Sequence, residues 1–377
     1  MFETPPFWMY LLGFPLLLGP LVTVHELGHY LVGRWFGVHA EAFSIGFGKE
    51  LYGWTDKSGT RWKLSALPLG GYVQFKGDMN PASVPDPDAS AEWGSFQSAA
   101  LWKRALIVAA GPVTNLLVAV AILAGFFAIL GKPTFSEAST TIAVFSEESP
   151  AKEAGIELGD RIVAIDGTPT ATFDQVVENV ALYPDQVLSV EVDRDGERLT
   201  YDVRTLRVSD GDQFGNKGDK GMIGVGPDPN SLDVTWDKVS LLASIPMAVD
   251  RCITITQMMI TGIKQVVTGQ RSIKELGGPV KIGKVAGERL SLGTIPFIEL
   301  MALISLNLAF INFLPIPALD GGHLAFYAVE AVRRKPVGPQ ATEWAYRTGI
   351  MLVLMFMVVV TFNDVVSLPL FAGLFGS

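Results

Sequence analysis

No charged residue occurs across 7–24, and the apolar pattern resumes around a polar cluster as far as Val32. Three further apolar runs follow. Residues 106–130 are broken only by Pro112, Thr114 and Asn115; 295–319 hold Glu299, Asn307 and Asn312; 349–362 with its flanks is the shortest. Each approaches the ~20 residues that cross about 30 Å of hydrocarbon. Hydrophobic residues make up 49% of the 377-residue chain and charged residues 18%, against about 25% in soluble domains. The expectation is a multi-pass α-helical membrane protein with four transmembrane helices and a polar portion attached, seated in a lipid bilayer.

Composition also excludes other classes. Disorder needs low hydrophobicity. A net charge of −9 with no basic cluster argues against nucleic acid as a partner. The single Cys252 rules out an intrachain disulfide framework and a cysteine-rich zinc site. The first charge is Glu3, so the opening run lacks the positive flank of a cleaved signal peptide.

Basic residues orient the spans. Arg34 follows the first, Lys103 and Arg104 precede the second, and Arg333, Arg334, Lys335 and Arg347 lie between the third and fourth. The outer ends carry only Glu3 and Asp364. The positive-inside rule then makes the loops 34–104 and 320–347 cytoplasmic and places 132–294 outside the cytoplasm. Residues 239–267 are also apolar, but Asp250 and Arg251 sit at their middle. Each costs about 2.5–3.5 kcal/mol at the centre of a spanning helix, so the segment reads as amphipathic helices lying on the membrane or against the protein core.

Four regions result: 1–131, the first two spans with a β-rich cytoplasmic-side loop at 40–77; 132–210, a compact α+β domain; 211–294, linker and amphipathic helices; and 295–377, the last two spans. In 40–77, glycines alternate with Phe, Tyr, Trp and Val, as in short strands joined by tight turns. Residues 78–95, with Asp78, Pro81, Pro85 and Pro87, read as a mobile loop. The α+β domain predicts a strand at 141–145, a helix at 150–154 and a strand at 161–165 turned by Asp166-Gly167. A helix at 173–182 and a hairpin, 188–192 with 199–203, around Asp195-Gly196 complete it. Residues 209–235, rich in Gly and Asp, read as a linker.

Two of only four histidines stand in His25-Glu26-Leu27-Gly28-His29, inside the first span. Residues four apart share a helix face, so both imidazoles can bind one cation, with Glu26 beside them able to take a proton from water. Polar groups at membrane depth are expensive and tend to be functional. At ~1.5 Å rise per residue, counted back from Arg34, the pair lies roughly 7–14 Å below the cytoplasmic surface.

A catalytic zinc usually takes three protein ligands and one open position. Trp35 occupies the place where a third histidine would follow, and Glu50 belongs to the β-rich loop beyond the membrane face. Asp320 is the stronger candidate. It ends the run from Asn312 through Pro315, Pro317 and Leu319, and Gly321-Gly322 follow it. Two prolines and two glycines there predict unwound backbone, which is tolerated at membrane depth where it lines a protein-buried or watery site. If 239–267 does not cross, the third span also runs inward and brings Asp320 to the level of His25 and His29. His323 reads equally as a partner of the site or as an interfacial residue.

These residues resemble the site-2 proteases, intramembrane zinc metalloproteases: His25 to His29 in the first span, Asn312…Pro315…Pro317…Leu319-Asp320-Gly321-Gly322 in a later one. The resemblance extends to the RseP-type regulators of the sigma-E response. It does so through Gly46-Phe47-Gly48, Pro68-Leu69-Gly70-Gly71-Tyr72, Gly111-Pro112-Val113-Thr114-Asn115, Gly277-Gly278-Pro279-Val280 and Phe362-Asn363-Asp364. It implies Zn2+ on His25, His29 and Asp320, with Glu26 as general base and Asn312 near the reacting peptide. A membrane-associated β-hairpin at 41–77, containing Gly46 and Gly48, would present substrate as an added strand. Asn115 would either polarise a substrate carbonyl or satisfy a helix–helix hydrogen bond.

Residues 141–208 resemble a PDZ domain through Ser149-Pro150-Ala151, Ala154-Gly155-Ile156, Gly159-Asp160-Arg161-Ile162 and Ile165-Asp166-Gly167. There is room for one such domain, where RseP-type proteins often carry two, and 134–140 hold no glycine for a carboxylate loop. The resemblance implies a periplasmic domain that contacts a peptide or filters substrate ectodomains by size. It also implies an inner-membrane enzyme that cleaves single-span proteins such as trimmed anti-sigma factors, and signal-peptide remnants. The competing reading is a PDZ-bearing scaffold or sensor with a structural or vestigial metal site.

Overall fold

The computed structural model describes residues 5–77, 93–135, 140–211, 217–227, 234–272, 277–335 and 337–366. The loop expected at 78–95 lies mostly outside the described residues. The chain divides into two compact units, one built from 5–123, 248–256 and 272 onward, the other from 124–247 and 257–271.

The first unit opens with α1 (Phe7–Trp35). Strands β1 (Ala40–Thr55) and β2 (Arg61–Phe75) follow, and then α2 (Leu101–Leu130). Each strand is bent double. Ala42 to Ile45 pair with Gln74 to Gly71 on one side and with Arg61 to Leu64 on the other, while Glu50 to Thr55 pair with Ser65 to Arg61. The bend in β1 falls at Gly46 and Gly48, with φ of +91° and +87°. A Cβ on Gly46 would also meet the Leu67 carbonyl, so only glycine turns the strand there. Residues 71–75 are left at the edge of the sheet. Asp56 ties the far turn, accepting from Trp62 Nε1, from the Ser58 N–H and hydroxyl and from the Thr60 N–H. The Trp62 bond is the largest of the effects that hold its carboxyl well below the usual range.

The second unit contains β3 (Lys132–Phe135), β4 (Val144–Phe145), α3 (Pro150–Glu153), β5 (Arg161–Ile165), β6 (Thr168–Pro169), α4 (Phe173–Ala181), β7 (Val187–Arg194) and β8 (Glu197–Arg204). A four-stranded antiparallel sheet runs β6-β5-β7-β8. Ile142, Ile156, Ile162, Ile165, Val176, Val180, Leu188, Val190 and Val192 form its buried core. Alternate residues of β7 are buried, the period a half-buried strand requires. Thr172 caps α4, accepting from the Gln175 N–H, while Gln175 Oε1 accepts from the Ala171 N–H. The segment expected as a linker is corrected in part. β9 (Leu206–Gly211) pairs with β10 (Lys217–Met222), and β11 (Val225–Gly226) pairs with β4. Gly221 serves close packing, since a Cβ there would strike the Val180 carbonyl. β12 (Val234–Asp237) pairs with β3.

α5 (Leu241–Val267) is a single helix capped by Ser240, not the several helices expected. It is not among the four helices, 7–35, 101–130, 294–313 and 340–366, that are long and apolar enough to cross a membrane among the described residues. The rest of the first unit is α6 (Pro279–Ser291), α7 (Thr294–Phe313), α8 (Asp320–Arg333) and α9 (Pro339–Val366). The architecture is thus four spans with two β-rich regions. Leu17 and Leu21 of α1 bury against Ala286 of α6 and Phe297 and Leu300 of α7. A Cβ on Gly13 would overlap the Gly287 backbone, so α1 and α6 approach at a glycine seam.

Candidate metal centre

His25 and His29 lie one turn apart on the buried face of α1, each 8% exposed. Their Nε2 atoms are 3.2 Å apart. Asp320 reaches them because the third span stops where the prolines predict. Backbone 314–319 turns through Ala318 at φ +82°, and α8 then starts at Asp320 itself. Gly321 and Gly322 make that turn possible, because a Cβ on either would strike carbonyls of residues 313–316. Asp320 Oδ2 lies 3.2 Å from His25 Nε2 and 3.6 Å from His29 Nε2. That oxygen is buried and receives no hydrogen bond.

The three separations bear on which cation fits. Zn–N and Zn–O bonds of about 2.0–2.2 Å in a tetrahedron put neighbouring ligand atoms roughly 3.3–3.6 Å apart. Edges of 3.2, 3.2 and 3.6 Å agree with that figure. Two imidazole nitrogens and a donor-free buried carboxylate oxygen form the donor set zinc takes, and one vertex is left for a reactant. The residues present fit zinc. Among the described residues this is the one group of three or more His, Cys, Asp or Glu side chains placed to hold a metal ion.

α2 supports both rings. His29 Nδ1–H donates to the Ile107 carbonyl at 2.8 Å, which leaves Nε2 with its lone pair toward the centre. Asn115, fully buried, places its amide 3.2 Å from His25 Nδ1. Between them Gly111 gives the room: a Cβ there would fall on His29 Nε2 and His25 Cε1.

The centre opens on a cavity of about 320 Å³. Glu26 lines it beside the cluster, its Oε2 accepting the Val73 N–H at 3.1 Å. Phe47, Tyr72 and Val73 bring the bent strands to its wall, and Asn312, on the last turn of α7, also faces it. His323 lines the cavity too, with Nδ1 2.6 Å from the Tyr346 hydroxyl of α9. Glu50 pairs instead with Arg61 in the hairpin. Sequence reasoning did not single out Val73 or the Ile107 carbonyl. Both act through the backbone, which leaves no trace in residue type.

The family model described as peptidase family M50 matches residues 13–356. The chain is 43% identical to "Putative zinc metalloprotease Atu1380" of Agrobacterium fabrum over 369 residues, 95% of this chain and 96% of that protein. It is 32% identical to "Metalloprotease MmpA" of Caulobacter vibrioides over 388 residues, covering 95% and 96%. A solved PDZ domain of an SdrC-like protein from Listeria monocytogenes aligns with 26% of this chain and 95% of its own, at 14% identity and a TM-score of 0.20. A family model that matches residues 13–356, with relatives similar almost from end to end, makes this chain a member of peptidase family M50, a zinc metalloprotease.

Proposed function

We propose that the chain cleaves transmembrane segments of single-span membrane proteins, with the peptide bond hydrolysed at the cavity on α1. The observation that carries this reading is the tetrahedral spacing of His25, His29 and Asp320 at a cavity walled by membrane-length helices and by a strand edge. In this reading the three residues hold zinc. Zinc supplies Lewis-acid polarisation of the scissile carbonyl and of the attacking water.

The chain's own groups do the rest. Glu26 takes the proton from the attacking water and returns it to the leaving amine nitrogen, its carboxylate aimed by the Val73 N–H. A helical substrate hides its carbonyls in hydrogen bonds and must be extended before attack. Residues 71–75, at the edge of the β1–β2 sheet and on the cavity wall, suit strand addition. The glycine bend at Gly46 and Gly48 sets that edge. Asn312, from the last turn before the break, faces the same space and suits a contact with the bound peptide.

The finer assignments go with this function: an RseP-type role in the sigma-E response, with anti-sigma-factor-like substrates trimmed by an earlier cleavage, and signal-peptide remnants as further substrates. The positive-inside bias supports an active site near the cytoplasmic side of the inner membrane and a periplasmic domain at 132–210. That domain reads as PDZ-like, contacting a peptide or a substrate ectodomain. The test is metal analysis of wild type beside Asp320→Ala, with cleavage of a model transmembrane peptide measured on both. Wild type is expected to hold one zinc and to cleave in a chelator-sensitive way, and the variant to do neither. Equal zinc content in the two, or cleavage indifferent to chelator, overturns the reading.

A further inference from the structure

His25 has two ring nitrogens with different neighbours. Nε2 faces Asp320 and His29, and Nδ1 faces the amide of Asn115. An imidazole that offers Nε2 to a cation is neutral and carries its proton on Nδ1, so Nδ1 needs an acceptor. The amide stands with Nδ2 at the ring, while Oδ1, also buried, has no partner. The two ends of an amide fill the same space, so the hydrogen bond decides which end faces the ring.

On the zinc reading above, we propose that Asn115 is a positioning residue for His25. Its Oδ1 accepts from Nδ1–H and so selects the tautomer whose Nε2 lone pair points to the centre. α2 then sets both ligand rings. The Ile107 carbonyl does for His29 what the Asn115 amide does for His25, and Gly111 between them keeps the helix close enough. Asn115 is itself fixed, because its own carbonyl accepts from the Ser305 hydroxyl of α7 at 2.8 Å.

The experiment is chelator competition for zinc on the full-length protein in detergent, with wild type, Asn115→Leu, Asn115→Asp and Asp320→Ala. Removing a partner of this kind typically costs 10–100-fold in metal affinity, and Asn115→Leu is expected to fall in that range. Asn115→Asp keeps an acceptor in place and is expected to bind zinc like the wild type, with the same visible spectrum after cobalt substitution. A residue that only filled a helix interface would give the opposite order, since a buried carboxylate disturbs packing more than a leucine does. If Asn115→Leu does not accumulate folded, Asn115→Ala is measured in its place and is expected to show the same loss. Wild-type affinity in the leucine or alanine variant, or aspartate as weak as leucine, overturns the proposal. Asp320→Ala separates the two layers: if it binds zinc like the wild type, the zinc assignment itself falls, whatever Asn115 does.

Discussion

The Val73 N–H donates to Glu26 Oε2 at 3.1 Å, so one hydrogen bond joins the edge of a sheet to the helix that carries the histidine pair. It holds the carboxylate beside the cavity on which the centre opens. The donor is backbone, so the link survives any side-chain change at Val73 except proline.

Glu26→Gln isolates the proton-transfer role. The glutamine Oε1 can still accept from Val73, and neither imidazole loses a neighbour, so fold and zinc content are expected to stay at wild-type levels. An amide cannot take a proton from water, and general-base catalysis contributes typically 10²–10⁴-fold. Cleavage of a single-span reporter should fall by about that factor. A variant that cleaves at the wild-type rate removes Glu26 from the chemistry.

Gly111→Ala tests the close approach of α2. Alanine is favoured over glycine in a helix interior by roughly 1 kcal/mol, yet here its Cβ would overlap both imidazoles. The expected result is loss of zinc and activity with helical content unchanged by circular dichroism. Gly125→Ala, on the same helix with nothing within 4 Å of the new Cβ, is the control and should keep both. Equal zinc content in the two variants would show that α1 and α2 can separate without harm to the cluster.

What the sequence made legible follows from where chemistry leaves a periodic or compositional trace. Long apolar runs announce spans, and a four-residue step between histidines announces one helix face. Pro315, Pro317, Gly321 and Gly322 announce the break that frees Asp320. The Asp166-Gly167 and Asp195-Gly196 turns were equally readable, since each asks for positive φ, and all four residues have it. The pairing of β9 with β10 was hidden because charged residues and glycines interrupt any apolar alternation there. The double bend of β1 and β2 was hidden as well, because residues 42–45 pair on both sides and periodicity reports one face at a time.

The second unit carries a pH dependence that can be worked out from Asp160. Its side chain is 1% exposed, and both oxygens are bonded, Oδ1 by Arg194 Nε and Oδ2 by Arg194 Nη2, each at 2.7 Å. The Glu157 N–H adds a third bond at 2.8 Å. Burial pushes the carboxyl up, but the Arg194 bonds, the Glu157 N–H and the Arg194 charge outweigh it and hold it below the usual value. A group depressed in the folded state contributes fully above its unfolded pKa of about 3.9, and that contribution is lost as pH falls through the folded value. Stability from Asp160 is therefore flat near neutrality and declines below about pH 4. In Asp160→Asn, hydrogen exchange of β5 and β7 amides in the full chain should already be faster at pH 7 and should lose part of its dependence on acid. Unchanged protection at pH 7 would show that the arginine bridge contributes nothing net.

Asp364 accounts for a motif whose purpose residue type alone did not reveal. From the last turn of α9 it accepts the N–H groups of Gly278 and Lys281, at 3.1 and 2.8 Å, and so caps the start of α6. Capping oxygens satisfy donors that a helix leaves unpaired at its first turn, and replacing them with alanine costs about 0.5–2 kcal/mol. A Cβ on Gly278 would meet Asp364 Oδ2 and Val360, so the glycine before Pro279 keeps the cap within reach. α6 packs against α1 at Gly13, away from the histidine pair, so a loosened cap leaves the cluster in place. Asp364→Ala is expected to lower the thermal unfolding midpoint and to raise hydrogen exchange at residues 280–283. Asp364→Asn, which keeps one acceptor, should fall between alanine and wild type, and zinc content should stay near one in both. A midpoint unchanged in the alanine variant would mean that the first turn of α6 finds other partners.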